Sequence, residues 1–218
     1  MWRKFQLARA FAWLFMSLLP PVASAAPDAH NAPVSLTVSI FNDAGMPASV
    51  LRQAEARAVA VLMDAGISLT WLDCGAPGQW RTELGCQAIA FPTHFSVRLV
   101  AGRKGLSDGT FGQSYLNEHG EGNYANVYVT PLSSARALSV IQEGDLLGYV
   151  VAHELGHLLL GKESHSAVGL MRARWEIAEL QEGARGNLLF SRSEMEKIRS
   201  RYLAAVSRAG VLAVGVGK

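Results

Sequence analysis

Apolar and polar positions follow regular periods along most of the chain, and these periods predict its first elements. Val34–Ile40 and Ile67–Leu72 each alternate apolar with polar residues, which is the period of a half-buried strand. Between them, Ser49 to about Ala65 carries apolar residues at helical spacing, and Gly66 can end that helix. The first part of the chain therefore predicts a strand, a helix and a second strand.

The pattern continues with further short strands and then a long apolar helix. The predicted strands are Phe95–Val100, Thr110–Tyr115 and Ala125–Thr130. Leu132–Ile141 is predicted as a loop or a short helix, and the long helix begins near Asp145, which can cap its N-terminus. Two more helices follow at Trp175–Glu182 and Ser193–Val206, the second capped by Ser191 or Ser193.

The long helix contains His-Glu-Leu-Gly-His at residues 153–157. Because residues four apart lie on one face of a helix, His153 and His157 can bind one metal ion together. Two imidazoles and an adjacent glutamate form the motif of a zinc peptidase, in which Glu154 accepts a proton from water and does not bind the metal. The alternative is a core helix with two partly exposed histidines, but the apolar residues around the motif make unpartnered polar groups costly there.

A third histidine follows the end of this helix. Gly161 can form a left-handed cap, after which the chain turns back and presents His165 eight residues after His157. Three histidines complete a zinc site that keeps one position open. The alternatives for the third ligand are Glu163, Glu176 and Glu179, and for His165 an ordinary position in a surface loop.

The run from His153 to Met171 resembles the signature of the metzincin clan of zinc peptidases, His-Glu-x-x-His-x-x-Gly-x-x-His followed by a methionine turn. Gly169-Leu170-Met171 resembles that turn, in which the methionine packs beneath the metal and is not a ligand. Relative to the clan signature, one additional residue lies on each side of Gly161. The clan's tyrosine after the methionine is missing; Arg172 stands next to Met171 and is either an oxyanion partner or a surface residue.

The resemblance implies an α+β, zincin-like fold: a mixed twisted sheet with a backing helix and an active-site helix, followed by a small, mainly helical C-terminal half. One zinc ion would lie in a cleft between residues 34–161 and 162–218. In the clan, the strand before the active-site helix lies at the sheet edge and binds peptide substrate. By that analogy, Asn126, Val127, Tyr128 and Val129 are the candidate substrate-binding strand.

The first 25 residues predict a secretory signal peptide. Arg3, Lys4 and Arg9 precede the apolar stretch Ala10–Leu19, and Ala23-Ser24-Ala25 fits a cleavage site. The apolar stretch is too short for a confident membrane span, although an uncleaved N-terminal anchor is the alternative. We therefore expect export to the periplasm or the medium, and a single mature domain over residues 26–218.

The charge of the chain gives no indication of a nucleic-acid partner. The chain has 20 Lys and Arg against 18 Asp and Glu, and loss of the signal peptide removes three of the basic residues. No basic run marks a nucleic-acid footprint.

The two cysteines, Cys74 and Cys86, are expected to form a disulfide in an oxidising compartment. Zinc binding by the two thiols is the alternative.

A glycine-rich stretch from Gly102 to Gly122 contains Asp108, His119 and Glu121. We interpret it as a surface loop, with a second metal site, such as calcium, as the alternative. Together the motifs predict a secreted zinc-dependent endopeptidase that acts on peptides or proteins. The alternative function is a non-catalytic exported zinc-binding module that binds a peptide or envelope partner.

Overall fold

The computed structural model describes residues 34–75, 84–102, 110–133 and 139–215 of the 218-residue chain. The predicted signal peptide lies outside these residues. All the described residues belong to one compact unit. Within them, no helix is both long enough and apolar enough to cross a membrane.

A mixed five-stranded sheet forms the centre of the fold. In sheet order the strands are β2 (Ile67–Asp73), β1 (Val34–Phe41), β3 (His94–Val100), β5 (Tyr124–Tyr128) and β4 (Gly112–Tyr115). The first four run parallel, and β4 pairs antiparallel with β5. In β1, the apolar residues Val34, Leu36, Val38 and Ile40 are buried in the core, as the period-two pattern of that strand predicts.

In the described residues the helices that accompany the sheet are α1 (Ala48–Asp64), α2 (Leu84–Gln87), α3 (Val129–Ser133), α4 (Glu143–Leu160), α5 (Ile177–Ala184) and α6 (Arg192–Gly215). Helices α1 and α4 pack against each other and contact different strands of the sheet. Tyr202 on α6 donates a hydrogen bond from its hydroxyl to the main-chain oxygen of Ser35 in β1, at 2.8 Å. The predicted α+β class, with a backing helix, an active-site helix and a helical C-terminal part, is confirmed.

Asp145 does not cap the active-site helix, because α4 begins two residues earlier and Gln142 occupies the cap position. Asp145 lies in the first turn and accepts hydrogen bonds from Arg57 at 2.9 Å and Gln53 at 3.1 Å. The carboxylate therefore ties α4 to α1 instead of binding the free N–H groups of its own helix. This partner on another helix could not be read from local sequence.

The C-terminal helices carry caps from their own side chains. Helix α5 starts two residues later than predicted, with a capping box formed by Glu176 and Glu179. For α6, Ser191 is the cap: its hydroxyl accepts from the Glu194 amide at 3.3 Å, while the Ser191 amide donates to the Glu194 carboxylate at 2.7 Å. The helix extends beyond its predicted end at Val206, to Gly215.

The predicted edge strand is wrong. Residues Asn126, Val127 and Tyr128 belong to β5, which pairs with β3 on one side and β4 on the other, and Val129 begins the short helix α3. The edge is occupied by β4, which lies earlier in the sequence and folds back on β5 as an antiparallel hairpin. The strand that comes last in the sequence is therefore not the edge strand here, because the hairpin places the earlier strand β4 outside β5.

The predicted disulfide is confirmed. Cys74 follows the end of β2, Cys86 lies in α2, and their Cα atoms are 5.8 Å apart across the bond. Both cysteines are buried. The bond fixes the segment around α2 to the end of the outer strand β2, at the side of the sheet opposite β4. The two thiols are therefore not ligands of a metal ion.

Candidate metal centre

The His-Glu-Leu-Gly-His motif lies in the last two turns of α4, where buried apolar residues surround it. The helix ends as predicted at Gly161, whose φ of 81° is unfavourable for residues that carry a Cβ. The Gly161 amide donates to the main-chain oxygen of His157 at 2.9 Å. This turn redirects the chain, so that the next segment passes back beside the two histidines.

That segment brings His165 to the histidine pair. One imidazole nitrogen from each of His153, His157 and His165 lies within 4.8 Å of the other two. The Nε2 atoms of His153 and His157 are 3.0 Å apart. The structure thus joins the three residues that the sequence predicted as metal ligands, although their role as ligands remains a prediction.

Hydrogen bonds at the opposite ring nitrogens orient two of the imidazoles. His153 Nδ1 lies 2.7 Å from the main-chain oxygen of Leu170, and His157 Nδ1 lies 2.6 Å from the hydroxyl oxygen of Ser164. A carbonyl oxygen can only accept, so His153 carries its proton on Nδ1 and presents the lone pair of Nε2 to the cluster. The sequence did not predict the role of Ser164, because a single serine in a loop belongs to no motif or periodic pattern.

Burial keeps both helical imidazoles in the form that binds a metal. It lowers the pKa of His153 to about 4, and burial together with the neighbouring histidines lowers the pKa of His157 to about 3. Both rings are therefore neutral at pH 7. Three imidazole nitrogens that converge from two chain segments are a donor set typical of zinc, so these residues fit one zinc ion.

The glutamates considered as third ligands lie elsewhere. Glu176 and Glu179 accept hydrogen bonds from Arg172, at 2.9 Å and 2.7 Å, and form the capping box of α5. Glu163 is exposed. None of the three belongs to the histidine cluster, which is the one group of at least three potential metal-binding side chains among the described residues.

Glu154 is a buried carboxylate next to the first histidine of the cluster. Its side chain is only 4% exposed. The Ser114 hydroxyl lies 2.7 Å from Glu154 Oε2 and 2.9 Å from the main-chain oxygen of the same residue. Burial raises the pKa of Glu154 to about 7, and the hydrogen bond from Ser114 opposes that rise. A carboxyl group with such a pKa can accept and release a proton near neutral pH.

Met171 is fully buried, and its sulfur lies next to Gly156 of α4, between the two helical histidines in sequence. A role for Met171 as the hydrophobic floor beneath the site stays a prediction. The main-chain oxygen of Met171 accepts from the Ser166 amide at 2.9 Å, which links the turn to the segment that carries His165. Arg172 is paired with the carboxylates of Glu176 and Glu179 at the start of α5, so its guanidinium is held at the cleft wall.

An open cleft of about 1090 Å³ lies in front of these residues. One wall comes from β4 and the residue before it, with Phe111, Gly112 and Ser114, and the floor comes from α4. The opposite wall comes from the segment after Met171 and from α5, including Trp175 and Leu180. Both parts of the chain that the sequence assigned to the cleft, before and after residue 161, therefore contribute to it.

Two residues of the glycine-rich stretch are accounted for by other contacts. His119 lies 3.5 Å from the carboxylate of Glu118, and Glu121 pairs with Arg208 at 2.9 Å. Asp108 lies outside the described residues. The described part of this stretch therefore adds no support for a second metal site.

No protein-family model matches the sequence, and the comparison with curated proteins found no match. Among solved structures, the chain is similar to a zinc-dependent peptidase from Methanocorpusculum labreanum strain Z, with a TM-score of 0.48 and 15% identity over 74% of this chain and 99% of that one. It is also similar to archaemetzincin from Methanopyrus kandleri, with a TM-score of 0.46 and 16% identity over 81% of this chain and 98% of that one. Similarity at this level carries no inference about the chemistry of this chain.

Proposed function

We propose that the chain is a secreted zinc-dependent endopeptidase. The observation that carries the proposal is the position of Glu154, a buried carboxylate beside three converging imidazoles at the floor of an open cleft. A site that only binds zinc has no need of this carboxylate, for which the described residues supply no cationic side chain. Burying such a group is costly, so its presence points to use in a reaction.

The residues divide into ligands and a proton carrier. His153, His157 and His165 would hold the ion, two of them oriented by Leu170 and Ser164. A bound zinc ion supplies Lewis acidity, which acidifies water and polarises a carbonyl oxygen. Glu154 accepts a proton from the attacking water and delivers it to the nitrogen of the leaving amine.

The edge strand β4 is the proposed docking element for the substrate. Among the described residues it pairs with β5 on one side only, and its residues line the cleft next to Glu154. An extended peptide can add to such an edge by main-chain hydrogen bonds, with its scissile bond over the histidine cluster. The substrate-docking role that the sequence assigned to Asn126–Val129 thus falls to β4.

Export is part of the proposal. It rests on the signal-peptide pattern of residues 1–25 and is supported by the disulfide between Cys74 and Cys86, since such bonds persist in oxidising compartments. The address is the periplasm or the medium.

The test compares the wild type with Glu154→Ala and with Glu118→Ala, an exposed glutamate on the loop between β4 and β5. Each protein is assayed for zinc content and for cleavage of a broad peptide library, with and without a chelator. We expect one zinc per chain in all three, and chelator-sensitive cleavage that Glu154→Ala lowers by several orders of magnitude and Glu118→Ala leaves unchanged. A fully active Glu154→Ala protein would refute the mechanism. One zinc without cleavage in any variant would favour a non-catalytic zinc-binding module.

A further inference from the structure

Two residues of the edge strand β4, Gly112 and Ser114, lie against Glu154. Side chains alternate between the two faces of a strand, so Gly112 and Ser114 share one face while Gln113 points to the other. Gln113 accordingly accepts a hydrogen bond from the Tyr128 hydroxyl, at 3.0 Å on the opposite face. The helix-facing side of β4 therefore presents a position without a side chain and a hydroxyl to the carboxylate.

Ser114 contacts Glu154 at two points. Its oxygen is 2.7 Å from Oε2 and 2.9 Å from the main-chain oxygen of the same residue, across 40 residues of sequence. The hydroxyl has one proton to share between these two acceptors, and the main-chain oxygen belongs to helix α4, so the serine oxygen lies close to both the helix and the carboxylate. A glutamate has three side-chain torsions, and an anchor on Oε2 selects one arrangement among its rotamers. No other side-chain hydrogen bond to this carboxylate is found in the described parts of the chain.

Gly112 provides the space that this arrangement needs. A Cβ at position 112 would lie 2.3 Å from Glu154 Oε1 and 2.5 Å from Cδ. Both distances are far below van der Waals contact, and the Glu154 side chain is buried, so it has little room to move away. The strand can approach the carboxylate this closely only with a glycine at this position.

We infer that Ser114 is a positioning residue for Glu154 and that Gly112 is the gap into which the carboxylate fits. This inference rests on the proposed peptidase function. Ser114 holds Oε2 and Gly112 makes room for Oε1, so the strand fixes the carboxylate in one orientation for proton transfer. The same short strand then serves two purposes: its main chain docks the peptide, and its inward face orients the group that transfers the proton.

The experiment measures kcat and KM on the best library peptide, together with the zinc dissociation constant by chelator competition. Ser114→Ala should lower kcat by about 10- to 100-fold, the range expected when a reacting group is misplaced by a fraction of an ångström to one ångström. KM and the zinc dissociation constant should change by less than about two-fold, because the hydroxyl touches neither the ligands nor the docking main chain. Ser114→Thr, which keeps the hydroxyl, should recover most of the lost kcat.

The matched control is Ser68→Ala, which removes an exposed hydroxyl from the outer strand β2 at the other edge of the sheet. It should leave kcat, KM and zinc affinity unchanged. In a Glu154→Ala background, Ser114→Ala should cause no further loss of the residual rate, because its effect passes through the missing carboxylate. Gly112→Ala should lower kcat with zinc retained, since its Cβ displaces the carboxylate.

The outcomes separate the two claims. If the wild type shows no chelator-sensitive cleavage, the proposed function falls and the inference falls with it. If the wild type cleaves and Ser114→Ala retains its kcat, only the positioning role is overturned. Loss of zinc affinity, a rise in KM without a fall in kcat, or full additivity with Glu154→Ala would each show that Ser114 acts as a general structural contact, and would also overturn the inference.

Discussion

Ser164→Ala is predicted to weaken zinc binding although Ser164 is not a ligand. The Ser164 hydroxyl lies 2.6 Å from Nδ1 of His157, and the serine is 8% exposed. Alanine at this position leaves a buried ring nitrogen without a partner and frees the imidazole to rotate or to move its proton to Nε2. Either change removes the lone pair of Nε2 from the place where the three histidines converge.

Two independent considerations give the same magnitude. Replacing a residue that orients a histidine ligand typically costs about 10- to 100-fold in metal affinity. That is about 1.4–2.7 kcal/mol, since each factor of ten corresponds to about 1.4 kcal/mol. Leaving a buried hydrogen-bonding group unpaired costs about 1–3 kcal/mol. Because His157 is partly buried and the contact is short, we expect a loss within this range.

The assay is a competition titration of zinc against a chromogenic chelator at pH 7, with the metal-free protein. The matched control is Ser166→Ala, in the same loop, whose hydroxyl bonds, among the described residues, to the main-chain oxygen of Val168. Ser164→Thr keeps the hydroxyl and should bind zinc within a few-fold of the wild type. A zinc affinity of Ser164→Ala within two-fold of the wild type would show that the contact does not hold His157 in its binding orientation.

Three further predictions concern the ligand set, the disulfide and the floor of the site. His165→Ala should weaken zinc binding sharply by chelator competition, whereas His119→Ala, on an exposed loop, should not; an unchanged zinc content in His165→Ala would place the third ligand elsewhere. Replacing Cys74 and Cys86 by alanine should lower the free energy of unfolding in urea by about 3 kcal/mol, from the loop that the bond closes, and a loss below about 1 kcal/mol would contradict this account. Met171→Ala should lower the free energy of unfolding by about 2–5 kcal/mol, because it leaves a cavity in the core. An unchanged denaturation midpoint would show that the core collapses around the smaller side chain.

Local patterns predicted the elements that carry the site. The spacing of His153 and His157, the apolar residues of α4 and the glycine at its end all act within a few residues of one another, so the sequence expresses them directly. The position of His165 is also set locally, because this residue lies four positions beyond Gly161. For these features, local geometry determines the arrangement, and the structure agrees with the predicted positions.

The misassigned edge strand has a different origin. Strand β4 has the sequence Gly-Gln-Ser-Tyr, without a buried aliphatic side chain, so its periodicity is too weak to indicate where it pairs. Its place outside β5 follows from the hairpin that joins the two strands. The contacts of Ser114 and Ser164 were missed for a related reason: one hydroxyl in a strand or loop acquires a role only when the fold brings a distant partner to it.

The main-chain oxygen of Leu170 has a consequence for how metal loading can be followed. It accepts from His153 Nδ1 at 2.7 Å and from the indole Nε1 of Trp175 at 3.0 Å, so both lone pairs of one carbonyl are in use. The indole also stands edge-on to the His153 ring, with centroids 5.6 Å apart. Trp175 is therefore an intrinsic fluorophore that shares the Leu170 oxygen as hydrogen-bond acceptor with the candidate ligand His153. Cobalt or copper at the histidine cluster should quench its emission, which makes the intrinsic fluorescence of the protein an optical readout of occupancy without any label.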